Sequence, residues 1–371
     1  MEEINNTNAT KHFLSNIKSN YILKQVFAHI NELKLLKIIQ KNKTIQNLLN
    51  KDINDYKKYA IIEIEILPLI KENFNNKKVN VIGKFINIYD EKYFKIYFND
   101  SNEIIKKNKI EYKEKIDKIK IEINNNITSL AELFRDCNNI HKMTFNKFKI
   151  RDIKNMNKMF VMCMELEEIN FNNFYTENVT NMQGMFFGCQ KLVKLNLSNF
   201  NTINVTDMAH MFYRCCSVKE LTLSNLITKN VTNMSNMFKG CMALEKLDLT
   251  NFGTHNVADM SYMFSLCTGL KELNISSFDT KKVNNMKGMF KGCEALTFLD
   301  ISNFIINDNT DTDEMFYECP LLNKLILPPH LSKKKKAEDI NRIFYCCDSL
   351  KSRNVQYNET DSTNKNNCIC F

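Results

Sequence analysis

The sequence predicts an α/β solenoid of about nine to ten strand-turn-helix units, and three observations predict it. Phenylalanine recurs at Phe134, Phe160, Phe186, Phe212, Phe238, Phe264, Phe290 and Phe316, a constant step of 26, and then at Phe344. A cysteine stands three positions beyond each, from Cys137 through Cys319 to Cys347. An apolar LxxLxL run repeats on the same step, as in Leu192, Leu195, Leu197 and Leu244, Leu247, Leu249. A unit this short has no core of its own and buries its apolar face only against neighbours, so the units must stack.

The LxxLxL run reads as the strand of a leucine-rich repeat horseshoe. Its last two apolar residues are two apart and point inward, while the residue between them faces out. An SNF rung follows, with Phe148, Phe174, Phe200, Phe252, Phe278 and Phe304 in one column and Leu226 substituting once. Then the period changes. In NVTDMAHMFYRCCSV, the residues Val205, Met208, Met211, Phe212 and Cys215 recur at helical steps, with Thr206 or Asp207 placed to cap the first turn. Gly188, Gly240 and Gly292 precede the cysteine, where a helix ending in a left-handed residue wants glycine. The expected unit is therefore strand, turn, about two turns of helix, and turn. Met156, Met182, Met208, Met234, Met260 and Met286 fall on the inward face and read as a deformable core, the alternative being an adaptable groove. All 13 cysteines lie after residue 136 and no CxxC pair occurs, so the ladder reads as small buried groups rather than disulfides or metal ligands.

Stacked strands are expected to form one all-parallel sheet roughly 45 Å wide. One outward column runs Lys142, Glu168, Lys194, Glu220, Lys246, Glu272, which alternates charge between adjacent strands. Its neighbour is Thr144, Asn170, Asn196, Thr222, Asp248, Asn274, Asp300. Phe298 and Ile326 break these columns with apolar side chains. They mark either a partner-binding spot or a place covered by the tail.

Outside the array the signals are weaker. Residues 1–60 carry apolar residues at three- and four-residue steps, such as Ile22, Leu23, Val26, Phe27 and Ile30, and read as a small helical module. Residues 61–113 alternate with period two and read as a mixed capping or linker region of short strands. Ile116, Ile119 and Ile121 then look like the first repeat strand, which puts the array at residues 114–350. The eighth unit decays, with Asn309 for valine and Thr312 for methionine, as a terminal cap requires. Residues 351–371 read as a polar tether.

Charge narrows the function. Residues 1–125 hold +7 of the formal +9, leaving +2 for the repeats, with no basic stripe to grip phosphates, so nucleic acid is not an expected partner. No apolar signal segment or membrane span is evident, and a chain that is neither exported nor threaded through a bilayer is expected. His12, His29, His141, His210, His255 and His330 share no column. With no nucleophile elbow, phosphate loop or metal pair, neither an enzyme nor a cofactor is implied.

The chain ends Cys368-Ile369-Cys370-Phe371, which fits a C-a-a-X prenylation box, with Cys370 where a branched aliphatic is usual. A terminal phenylalanine favours a geranylgeranyl chain on Cys368. One lipid binds membranes reversibly, so Lys333, Lys334, Lys335 and Lys336 would serve as a second, electrostatic signal unless they are merely a solvated loop. The expected location is the cytoplasmic face of a membrane, the plasma membrane first, or the cytosol without the lipid.

The unit TNMSNMFKGCMALEKLDLTNFGTHNV and its copies resemble the BspA-like leucine-rich repeat, named for bacterial surface proteins and abundant in anaerobic protists. The resemblance implies a non-catalytic protein-protein interaction scaffold. It also implies a protist type, since some such members lack a signal peptide and end in a prenylation box. It brings no catalytic residue and does not reach residues 1–110. The stretch YILKQVFAHINELKLLKIIQKNKTIQNLLN is similar to an F-box without its leading Leu-Pro. That likeness gives the alternative reading, a substrate receptor of a ubiquitin ligase that holds its target on the repeats.

Overall fold

A computed structural model of the chain describes residues 25, 43–49, 61–72, 77–111, 114–124, 127–172, 174–328, 343–344, 347–351 and 356–357. Two compact units are present, Met1–Ile61 and Ile62–Phe371. In the first, Lys43–Leu49 is a helix, α1. The rest of the expected helical module, with most of its F-box-like stretch, lies outside the described residues.

The second unit opens with short strands: β1 (Ile62–Pro68), β2 (Ile70–Glu72), β3 (Lys78–Asn80), β4 (Gly83–Lys84), β5 (Phe94–Phe98), β6 (Lys109–Ile110) and β7 (Ile119–Ile123). In β1 the alternation of IEIEILP buries Ile62, Ile64 and Ile66 on one face. It lies between β7 and β8 (Ile140–Phe148), antiparallel to both. Ile119 and Ile121 are therefore not the first repeat strand. They belong to β7 in this cap, and β1 separates them from the repeats. The reason is the edge: an unpaired repeat strand would present a row of free backbone groups, and β1 covers it.

The repeat strands follow as β9 (Glu168–Asn170), β10 (Lys194–Asn196), β11 (Glu220–Thr222), β12 (Lys246–Asp248), β13 (Glu272–Asn274), β14 (Phe298–Asp300) and β15 (Lys324–Leu327). Their central residues point inward as the LxxLxL pattern requires, with Leu195, Leu247, Leu299 and Leu325 buried. They do not form the one continuous sheet expected. They pair two by two, β8 with β9, β10 with β11, β12 with β13 and β14 with β15, always parallel and in register. Across the seams, where the strand ladder lapses, side chains still bridge the units as they do within pairs. Asn199 Nδ2 donates to Phe171 O at 3.1 Å, and Asn251 Nδ2 to Leu223 O at 3.0 Å.

The largest departure from expectation is opposite the strands. No helix occurs in the eight repeats from Ser129 to Leu327 among the described residues; each unit instead makes a chain of tight turns. In the unit of Phe160, Met159 N donates to Met156 O, Val161 N to Lys158 O, and Cys163 N to Phe160 O, which closes three linked turns. The alternate N–H groups point along the stack: Met156, Lys158, Phe160 and Met162 N–H donate to Asn181, Gln183, Met185 and Phe187 carbonyls of the next unit. All four point the same way along the stack. A helix would satisfy these groups internally, whereas here each unit needs its neighbour. Two columns carry the positive φ that such turns demand. One holds Lys158, Gly184, His210, Asn236, Tyr262 and Gly288, the other Met162, Gly188, Arg214, Gly240, Leu266 and Gly292. Among the described residues the repeats thus form a β-solenoid with little helix.

Several ladders lock the stack. Seven parallel bridges join eight units, from Ser129 through Asp207 to Asp311. At these positions the side chain caps the first turn, as when Asp207 Oδ1 accepts from Ala209 N at 2.8 Å. The expected cap at Asp207 is present, but on a turn. Nine phenylalanine rings, Phe134 to Phe344, stack with centroids 5.3 to 5.8 Å apart and planes within 17°. Each ladder thiol from Cys163 to Cys347 donates to the phenylalanine carbonyl of the preceding unit, as Cys241 Sγ does to Phe212 O at 3.2 Å. A buried threonine column completes the set: Thr202 Oγ1 donates to Ile227 O at 2.9 Å and accepts from Ile227 N at 2.8 Å.

Both ends of the turn layer are met by other chain. Asn87 N donates to Leu133 O at 2.7 Å, and its side chain donates to Glu132 O and Arg135 O. At the far end Phe316 N donates to Ile343 O at 3.0 Å, and a helix, α2 (Asp348–Lys351), precedes β16 (Gln356–Tyr357) on the open edge of β15.

Candidate interaction surfaces

The outward face of the strands carries the columns read from sequence, and their charges are largely matched within the chain. Lys142 and Glu168 pair at 2.7 Å, Lys194 and Glu220 at 2.7 Å, Lys246 and Glu272 at 2.6 Å. All three are pairs inside a strand pair; the same column makes no ion pair across a seam among the described residues. Such exposed pairs are worth tenths of a kilocalorie each and serve register more than stability, about 0.2–1 kcal/mol at most. At the seam between β9 and β10 the face opens into a cleft of about 550 Å³, lined by Glu167, Asn170, Val193, Lys194 and Asn196 among others.

Phe298 is 45 % exposed, and Lys324 from the adjacent strand lies over its ring at 5.3 Å. It occupies the position where earlier pairs place a lysine, so a cation–π contact replaces the ion pair. Ile326 is opposite Asp300, diagonal to Phe298, and half-buried. Its other side faces Gln356 of β16. The two apolar residues therefore share an end of the face without forming one patch, and the tail strand runs beside Ile326. Lys333, Lys334, Lys335, Lys336 and Cys368 lie outside the described residues. No helix among the described residues is long and apolar enough to cross a membrane.

The thiol ladder is sealed. Cys137, Cys163, Cys189, Cys215, Cys241, Cys267, Cys293, Cys319 and Cys347 are all buried. Burial pushes Cys267 up to about 12 and Cys163, Cys189, Cys215, Cys241 and Cys293 well above the ordinary thiol value. Thiolate is what attacks electrophiles and binds metals, so these positions are built for packing.

Sequence reasoning passed over a second surface, on the turn layer. Phe187 and Tyr213 stack at 4.6 Å, Lys239 Nζ lies 4.3 Å from the Tyr262 ring centre, and Lys291 Nζ lies 4.3 Å from that of Tyr317. The column Phe187, Tyr213, Lys239, Ser265, Lys291, Tyr317 was on view at the constant step, immediately after each core phenylalanine. A helical reading of this layer assigns it no shared face. Turns stacked in register place it on one.

Residues 128–247 and 232–357 match the family described as "Mycoplasma protein of unknown function, DUF285". This agrees with the BspA-like repeat resemblance. The chain is also similar to a crystal structure of a leucine-rich repeat protein from Bacteroides ovatus, at 19% identity over 68% of this chain and 70% of that one, with a TM-score of 0.33. No curated protein matches it. The two family matches overlap and together run through every repeat unit of the stack, more than half of the sequence, so the chain belongs to the DUF285 family.

Proposed function

We propose that this chain is a non-catalytic protein-interaction scaffold of the BspA-like class, held at the cytoplasmic face of a membrane by a prenyl chain on Cys368. The observation that carries the scaffold reading is the division of labour between residues. Inward positions form columns of phenylalanine, methionine, thiol and threonine with few substitutions, while outward positions vary from unit to unit on a frame fixed by backbone hydrogen bonds. A rigid frame with variable outward side chains can recognise a partner without ordering itself on binding. The tether reading rests on the terminal Cys368-Ile369-Cys370-Phe371 and on the four lysines 333–336 upstream.

Two measurements test it. Cys368→Ser should move the full-length protein from the membrane to the soluble fraction of its cell and remove the lipid from its intact mass; unchanged partitioning ends the tether. A photo-crosslinking residue at position 298 should give one discrete protein adduct. A smear or no adduct there, and likewise at positions 170 and 196, would remove the strand face as the recognition surface.

A further inference from the structure

Lys239 and Lys291 stand in the same column two units apart, and the chain treats them differently. Lys291 lies over Tyr317 and also bonds the Glu314 carboxylate at 2.8 Å, which raises its pKa. In the unit next to Lys239, the place corresponding to Glu314 is taken by Tyr262. Lys239 therefore lies over a ring, with Tyr213 on its other side at 5.9 Å and Arg214 of the preceding unit nearby. Arg214 lies 5.6 Å from the Tyr213 ring centre. Neither cation makes an ion pair among the described residues. Burial, and then Lys291 and Arg214, push the Lys239 ammonium below its ordinary value, the opposite of Lys291. Two neighbouring cations on an aromatic floor, one of them half-buried, lack the carboxylate that the chain itself provides at Lys291.

The floor is also positioned. Tyr262 lies against Gly288 of the next unit, which has φ +56°, and a Cβ there would run into the ring. Glycine at 288 serves both the left-handed turn and the seat of the tyrosine.

We propose that Tyr213, Arg214, Lys239 and Tyr262 form a second interaction surface, which takes an acidic segment of a partner protein with a carboxylate on Lys239 and Arg214. The inference rests on the scaffold reading in that the partner is a protein. An acidic peptide fits better than an anionic bilayer because Asp207 and Asp259 stand on the same layer, where they would repel a continuous negative surface but leave room for one carboxylate.

The probe is a labelled synthetic peptide of alternating glutamate and tyrosine, followed by fluorescence anisotropy with the full-length protein. The wild type should bind it, and Lys239→Gln or Arg214→Gln should each weaken binding about tenfold. Lys282→Gln, which removes the same charge from an exposed site elsewhere, should leave it unchanged. Gly288→Ala should weaken it by moving Tyr262. Bound peptide should also protect Lys239 of the wild type from acetylation, a readout that needs no variant to fold. The proposal is overturned if the wild type ignores the peptide, if Lys282→Gln matters equally, or if phosphatidylserine vesicles replace the peptide with the same dependence on Lys239. None of these outcomes touches positions 298 or 368, so failure here is separable from failure of the scaffold or the tether.

Discussion

Each phenylalanine carbonyl of the ladder has two lone pairs, and from Phe134 to Phe290 both are used. Phe212 O accepts from Cys215 N of its own turn at 3.1 Å and from the Cys241 thiol of the next unit at 3.2 Å. A thiol is small, nearly apolar and a weak donor, so it completes the carbonyl without the desolvation cost a hydroxyl would bring. That choice makes the fold sensitive to alkali. The folded thiols are held above their ordinary value of 9.0, Cys137, Cys267 and Cys319 at about 12. Between those limits the unfolded chain has lost protons that the folded chain keeps. The stabilisation is thus complete below the unfolded value and is lost as pH rises through the window toward the folded one. Melting temperature should fall from about pH 9 to about pH 11, and Cys267→Ala should fall less over that range than the wild type. Equal slopes for the two proteins would show that other groups govern the loss.

At the level of the unit, the strand and the inward columns could be read from sequence because their chemistry depends on spacing alone. LxxLxL puts two residues on one side whatever the rest of the unit does, and Phe145, Leu197 and Ile301 are buried accordingly. The turn layer misled because three linked turns and a short helix place apolar residues at the same steps of three and four. The discriminating signal was present: Gly184 with Gly188, and Gly288 with Gly292, fall four apart in single units, and both members are left-handed. A helix tolerates one such residue at its end, not a second one turn earlier. The same columns predict how the turns can be improved. Leu266 has φ +59° and is 38 % exposed, so it carries backbone strain without compensating burial. Leu266→Gly should raise stability by about 0.5–1 kcal/mol, the relief of the left-handed backbone less the extra freedom of the unfolded chain. An upward shift of the urea midpoint at constant slope would bear this out, and a downward shift would mean that the Leu266 side chain over Gly292 matters more. The candidate surfaces were legible to a lesser degree. Phe298 and Ile326 could be seen to break their columns, but Lys324 over one and β16 beside the other follow from pairing that no single column shows.

Across the whole array the sequence repeats every 26 residues while the strand bonding repeats every two units. Glu168 and Lys194 face each other across a seam, Lys194 and Glu220 across a ladder. Deleting residues 190–215, one unit, would set β9 beside β11 with two glutamates adjacent and leave β11 without its partner. Deleting residues 190–241, two units, would keep both neighbouring strand pairs whole. The longer deletion should melt at the higher temperature, although it removes twice as much core. Should the shorter one prove the more stable, strand pairing contributes little and the turn layer alone sets the cooperativity.

The direction of the bonds in the turn layer has a further consequence. Because the N–H groups of each unit serve carbonyls of the unit after it, the stack has chemically unlike ends, one rich in acceptors and one rich in donors. Asn87 occupies the first, and at the second the Ile343 carbonyl accepts from Phe316 N. Two bare copies would meet donor end to acceptor end, a heterologous contact that no symmetry closes and that grows into a filament. By taking the carbonyls of the first unit, the cap closes the end at which such a filament would grow.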